Sequence, residues 1–393
     1  MTAAVRRPEP APRPAGEPTA QVTAAQPAAS AAAVLAAGPA AVAASPAAAP
    51  EGPASVLAAA PEAPEHPVLP PVTERAGHSW APASPCNPDC LPTPGTLPEL
   101  GRVRVALRLT GLLVLVLATA LLAAVLPLLG TVVPAFNAWR RVGVLRVMFR
   151  ALLYVIGVRL VHNGADRFDV TAEERAAGTS GVSGASVSGA GVPDYGGGVL
   201  VVANHLSWLD ILVLGSVQPM RMVAKREVRD WPLVGAVATR AGTLFVDRAG
   251  LRALPGVVAE VTTALRAGAA VGLFPEGTTW CGAATGVFRR AGFQAALDAG
   301  VPVRPVAQRM RLADGTATGV GAFIGDDTLV DSLLRVARLP ELVMEVDVLP
   351  PLLPTPGLDR RELARRAELA IAAASGVPAP AAVRRPTSAR KAA

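Results

Sequence analysis

His205 and Asp210 are the residues in this chain best suited by type and spacing to move a proton. They stand in Asn204-His205-Leu206-Ser207-Trp208-Leu209-Asp210. A carboxylate that holds one imidazole nitrogen fixes the tautomer and leaves the other nitrogen free to act as a general base. A separation of five is poor for one helix face. It suits a chain that turns after His205 and begins a helix near residues 207–209. Taken alone, the pair also fits a structural histidine.

Three later segments carry further candidates. Gly242-Thr243-Leu244-Phe245-Val246-Asp247-Arg248 is an apolar run ending in a charged pair. Arg248 there could hold a phosphate through its bidentate fork; a surface Asp–Arg pair is the plainer reading. Phe274-Pro275-Glu276-Gly277-Thr278-Thr279 is a tight turn with a carboxylate and two hydroxyls near its tip. It can present Glu276, Gly277 and Thr278 to a substrate, or simply join a strand to a helix. Val301-Pro302-Val303-Arg304-Pro305-Val306-Ala307 is apolar and punctuated by proline. Val303 and Pro305 are candidates to line an acyl slot, with an edge strand as the alternative. Lys225, closing Met222-Val223-Ala224-Lys225, either adds positive potential to a site or is a surface lysine.

These segments need elements to position them. Short apolar runs recur at 199–203, 222–224, 243–246, 270–274, 303–307 and 342–348. Helix-like stretches at 251–267 and 286–299 separate some of them. Such alternation predicts an α/β fold, a mostly parallel sheet flanked by helices. His205, Arg248 and Glu276 then all follow strands, and the carboxyl ends of strands are where α/β sites collect. A closing helix is expected over 358–375, with Asp359 and Glu362 in a capping-box-like start. A Gly/Ser/Ala-rich insert at 178–198 reads as a flexible loop.

The four segments, in this order, resemble the four motif blocks of the 1-acylglycerol-3-phosphate O-acyltransferase family of glycerolipid acyltransferases. His205 and Asp210 match its His-x-x-x-x-Asp block, preceded by Asn204. Phe245–Arg248, Phe274–Thr278 and Val301–Ala307 match the other three. The resemblance runs over residues 109–375, leaving out the insert. It implies that His205 deprotonates an acceptor hydroxyl and that Asp210 orients it. It also implies that Arg248 binds the acceptor phosphate, and that Asn204, Glu276, Gly277 and Thr278 help to hold the substrate. The co-substrate implied is acyl-CoA or acyl-carrier protein, with no covalent acyl-enzyme and no cofactor. The acceptor implied is a lysophospholipid, by default 1-acylglycerol-3-phosphate giving phosphatidate; related enzymes acylate phosphate-free lyso-aminolipids.

Composition bounds the rest. Net charge is +7 over 393 residues, and aromatics are only 4 %. Residues 1–100 are rich in Ala, Pro, Glu, Thr and Ser, and read as a disordered tail, as do 376–393. The opening residues lack the pattern of a secretory signal. Basic charge suits anionic membranes or phosphorylated substrates; without dense Lys/Arg runs or a nucleic-acid module, nucleic acid is not an expected partner. From Leu109 to Val133 no residue is charged, enough to span a bilayer. Arginines flank both ends, which suits a segment that enters the membrane and returns to the same face. Residues 142–161 read as an interfacial amphipathic helix. Residues 101–161 are thus a membrane-associating unit ahead of an α/β domain at 162–375, placed on the cytoplasmic face of the cell membrane.

Of the three cysteines, Cys86 and Cys90 lie in the Pro-rich leader. A zinc site would need further ligands, and His66 and His78 nearby sit in sequence that does not look folded, so no metal is expected. Cys281 lacks a neighbouring base that would make it a nucleophile. A non-catalytic membrane-anchored lipid-binding protein is the reading from a different class. Loss of His205 or Asp210 would be its signature, and both are present.

Overall fold

Val199-Leu200-Val201-Val202-Ala203 is apolar at every position, the pattern of a strand covered on both faces. It forms β2 (Val199–Ala203), and all five residues are buried. Val199, Val201 and Ala203 face one hydrophobic cluster and Leu200 and Val202 the other, as the two-residue period of a strand requires.

The computed structural model describes residues 83–93, 95–132, 138–179, 197–231, 234–247 and 251–380. Arg248, most of the expected insert, His66, His78 and the chain from 381 onward lie outside them. The sheet contains β1 (Val158–Gly164), β2, β3 (Arg221–Lys225), β4 (Leu244–Val246), β5 (Ala270–Leu273), β6 (Val303–Leu312) and β7 (Leu342–Val348), in the order β1-β7-β6-β2-β5-β3-β4. All neighbouring pairs are parallel except β6 with β7. The helices are α1 (Arg102–Val132), α2 (Ala138–Ile156), α3 (Ala172–Thr179), α4 (Leu209–Val217), α5 (Val234–Arg240), α6 (Leu254–Arg266), α7 (Ala291–Ala299), α8 (Leu329–Arg338) and α9 (Arg360–Ser375). Residues of α2, α4 and α8 pack on one face of the sheet, and residues of α6, α7 and α9 on the other. The mostly parallel sheet flanked by helices is the expected fold, and α9 starts on the expected Asp359, whose side chain accepts from the N–H groups of Arg361 and Glu362.

Three expectations are corrected. Residues 142–161 are not one helix: α2 ends at Ile156 and the chain turns into β1. Gly157 makes the break at φ +85°, and a Cβ there would lie 2.3 Å from the Arg108 guanidinium. Residues 83–93 and 95–100 of the leader belong to the described structure, where Cys86 is 5 % exposed and packs with Cys281, Ala322 and Ile324. The fourth motif is not an edge strand, since β6 lies between β7 and β2. Pro305 is tolerated there because the β7 ladder begins only at the next residue, Val306.

α1 carries a stretch, Arg102–Leu121, that is long and apolar enough to cross a membrane, with mean hydropathy 1.9 and none of it buried. Val103, Leu107, Val114, Leu117 and Leu121 are exposed, while Val105, Leu109 and Leu112 pack on the domain. Gly111 lies against Val155 and Arg108 against Gly157. The start of α1 therefore meets the end of α2, and the two run antiparallel.

The fourth motif also supplies the most buried charge. Arg304 is fully buried. It makes two hydrogen bonds to Glu174, at 2.7 and 2.8 Å, and donates to the carbonyls of Phe168, Asp169 and Leu349. That fork ties α3 and the segment after β1 to the sheet centre. Removing one partner of such a pair strands the other. Arg304→Ala should cost about 3–5 kcal/mol of stability, read as a lowered urea midpoint.

Candidate active site

β2, β5, β3 and β4 are consecutive parallel neighbours in the sheet. Their carboxyl ends lie along one edge, so the first three motifs emerge together. His205 follows β2 and Glu276 follows β5. Lys225 ends β3, exposed, with its ammonium 6.0 Å from the centre of the Trp231 ring. Asp247 follows β4 and pairs with Arg226 at 3.8 Å.

Asp210 sits in the first turn of α4 and is fully buried. One of its oxygens, Oδ2, lies 2.8 Å from His205 Nδ1 and accepts from the N–H groups of Leu206 and Ser207 at 2.7 and 3.0 Å. The loop therefore folds back over the carboxylate, and the five-residue spacing is what such a wrap needs. A carboxylate accepting backbone N–H bonds favours the tautomer with the proton on Nδ1. Nε2 is then the nitrogen with a free lone pair, on a side chain that is 19 % exposed. Phe274 stacks on the imidazole, with centroids 3.9 Å apart and planes 5° from parallel, which fixes the ring's tilt.

Glu276 holds the same loop from the β5 side. Its Oε2 accepts from His205 N–H at 2.6 Å and its Oε1 from Gly286 N–H at 2.8 Å. It is almost fully buried. Burial pushes its carboxyl up to about 8, against the two N–H groups that hold it down; the charges of Asp210 and Cys86 add to the push. Gly277 turns the chain at φ +76°, and Thr278 is half-buried beyond it.

Asn204 is buried, and both ends of its amide are engaged. It donates to Gln308 carbonyl at 3.0 Å and accepts from Gln308 N–H at 2.8 Å, while Gln308 Nε2 donates to Asn204 carbonyl at 3.0 Å. The side chain carries the β2–β6 ladder past its last backbone pair and fixes where His205 departs. Asn204 and Glu276 thus position the loop through these contacts. Val303 is buried in the core, and Pro305 is buried in β6.

Other holders were not legible in the sequence. Trp280 N–H donates to His205 carbonyl at 2.8 Å, and Phe323 N–H to Leu206 carbonyl at 2.9 Å. Thr279 hydroxyl in turn donates to Phe323 carbonyl. Gln308, Gly286 and Phe323 lie outside the four motifs, and backbone donors have no residue signature. Phe274 had one: its place just ahead of Pro275-Glu276.

Comparisons with known proteins show the family. The Acyltransferase family profile matches residues 172–309, which include His205, Asp210 and Glu276. Lyso-ornithine lipid O-acyltransferase of Pseudomonas aeruginosa is 42 % identical over 190 residues, covering 48 % of this chain and 72 % of that protein. 1-Acyl-sn-glycerol-3-phosphate acyltransferase of Neisseria gonorrhoeae is 37 % identical over 155 residues, covering 39 % of this chain and 60 % of that one, less than two thirds of its length. A solved structure of the 1-acyl-sn-glycerophosphate acyltransferase of Thermotoga maritima covers 68 % of this chain and 96 % of its own, at TM-score 0.41 and 19 % identity, and at that score adds nothing to the assignment. The likeness to the Pseudomonas protein over most of its length, with the His–Asp pair inside the matched segment, places the chain in the acyltransferase family whose members acylate lysolipids.

Proposed function

We propose that this protein transfers a fatty acyl group from a thioester, acyl-CoA or acyl-carrier protein, to the free hydroxyl of a lysolipid at the cytoplasmic face of the membrane. The observation that carries the reading is the buried Asp210 holding His205 Nδ1 at 2.8 Å, which leaves Nε2 to act as base.

The acceptor hydroxyl gives its proton to Nε2 as its oxygen attacks the thioester carbonyl. Asp210 stabilises the imidazolium that forms. The tetrahedral intermediate collapses with loss of the thiolate, which takes the proton back from His205. Because the thioester is already activated, the base only has to sharpen the hydroxyl. Cys281 is a poor alternative nucleophile: its thiol is pushed up by its hydrogen bond to Cys86 and by burial. The exposed apolar stripe of α1 supports a membrane seat, where lysolipid and product both reside.

Lysophosphatidate is the first acceptor proposed, on the Phe245-Val246-Asp247-Arg248 motif, with Arg248 taking the phosphate. A specific observation favours a second. The relative named for lyso-ornithine lipid matches at higher identity and over more of its length than the one named for 1-acyl-sn-glycerol-3-phosphate. A guanidinium fork grips carboxylate as well as phosphate, so Arg248 fits either. Purified protein assayed with both lysolipids side by side separates them by product; transfer to neither would end the proposal.

His205→Ala should lower acyl transfer by about 10²–10⁴-fold, with the circular dichroism spectrum unchanged. Turnover near the wild-type rate would remove the general base from the mechanism.

Glu276 gives a pH signature. Its native carboxyl titrates near 8, against an ordinary value of 4.5. Between these values the native state holds a proton that the unfolded state has lost, so stability should fall as pH rises through that window. Urea midpoints across it should fall less steeply for Glu276→Gln than for wild type. Equal slopes would mean that Glu276 is ionised throughout.

A further inference from the structure

The chain has three cysteines, and the fold brings all three to one place. Cys86, Cys90 and Cys281 each present a sulfur, and the three sulfurs lie within 4.8 Å of one another. Two come from the leader and one from the loop after Glu276, 195 residues on from Cys86.

The leader is folded to make this possible. Asn87 caps a single 3₁₀ turn, Pro88–Cys90, its side chain accepting from Asp89 N–H at 3.0 Å. Cys90 N–H closes on Asn87 carbonyl at 3.0 Å. That turn brings Cys86 and Cys90 to the same side. Cys281 N–H donates to Cys86 sulfur at 3.3 Å, the kind of outer contact that steadies a thiolate ligand. Ala322 and Ile324 form an apolar wall around the sulfurs. Gly319 lets the strands of chain approach: a Cβ there would lie 2.8 Å from Cys281 carbonyl and 3.4 Å from Cys90 carbonyl.

We infer that Cys86, Cys90 and Cys281 form a structural site for a thiolate-seeking d¹⁰ cation, zinc in the first instance, that clamps the leader onto the loop after Glu276. Zinc–sulfur bonds of about 2.3 Å in a tetrahedron put sulfurs about 3.8 Å apart, inside the 4.8 Å within which the three already lie. The fourth position falls to water on the side of Cys90, which is only half-buried. A bound divalent cation would displace the protons that the three thiols carry.

A disulfide is the competing chemistry for close cysteines. It would join two sulfurs and strand the third inside the same cluster, and it would need an oxidant. A metal uses all three. Sequence alone does not bring Cys281 to the leader, because the two meet only when the chain folds across 195 positions. The site is separate from the His205 centre but bears on it: Cys281 follows Trp280, whose N–H holds His205 carbonyl.

The test is metal content of the untagged full-length chain, purified without chelator from zinc-supplemented cells. Elemental analysis should give roughly one zinc per chain. A Cys86→Ser, Cys90→Ser, Cys281→Ser triple variant should give less than about a tenth of that. Because that variant can misfold, wild type stripped by chelator is titrated with cobalt(II), which should produce thiolate-to-cobalt charge-transfer absorbance saturating near one equivalent. Folded wild type with neither zinc nor cobalt absorbance would overturn the site, as would an intact mass short of two hydrogens with Cys86 joined to another cysteine.

Discussion

The buried carboxylate of Asp210 organises the edge of the sheet where the candidate site lies. A carboxylate removed from water is costly unless donors surround it. Here three donors converge on Oδ2: the N–H groups of Leu206 and Ser207 and the imidazole of His205. The backbone between residues 205 and 210 has little freedom once that demand is met. It must leave β2, curl over the carboxylate and enter α4 with Asp210 in the first turn, where the helix dipole also favours negative charge. The histidine's tautomer, orientation and reactive nitrogen follow from satisfying a buried charge.

Other parts of the fold hold that curl from outside. Glu276 grips His205 N–H from the end of β5, Asn204 locks the end of β2 to β6 through Gln308, and Trp280 and Phe323 bind the loop carbonyls. Most of these contacts use backbone atoms of the loop. They therefore fix its path without competing for the imidazole. A base needs its donor and acceptor geometry held to within a fraction of an ångström, and a loop tied at consecutive residues to different strands meets that need.

The sequence made the strand pattern and the His–Asp pair legible because both are local signals. Runs such as 199–203 and 342–348 are apolar and short enough to be read directly, and β2 and β7 match them. β1 was hidden because its first residues continue the apolar and arginine pattern of α2, and only Gly157 marks the change. α8 is strongly amphipathic, but at ten residues it is short. The long-range closures were invisible for a different reason. Gly286 and Phe323 act through backbone groups that every residue possesses, Gln308 through its backbone as well as its amide, and Cys281 gains meaning only when it meets Cys86 across 195 positions.

The apolar helix is linked physically to the turn that carries His205. A core helix of a soluble domain would bury its stripe; α1 leaves Val103, Leu107, Val114, Leu117 and Leu121 exposed. It is nonetheless docked, because Arg108 donates to the carbonyls of Ala337, Leu339 and Pro340 at 3.1, 2.5 and 2.8 Å, capping the end of α8. From α8, Ser332 hydroxyl accepts from Trp208 Nε1 at 3.1 Å, and Trp208 stands two residues before Asp210. Seating α1 in lipid would therefore set the height of α8, and through Trp208 that of the turn carrying His205. On the proposed function, that fixed offset between α1 and the imidazole would decide which depth of a bilayer-confined acceptor His205 can reach.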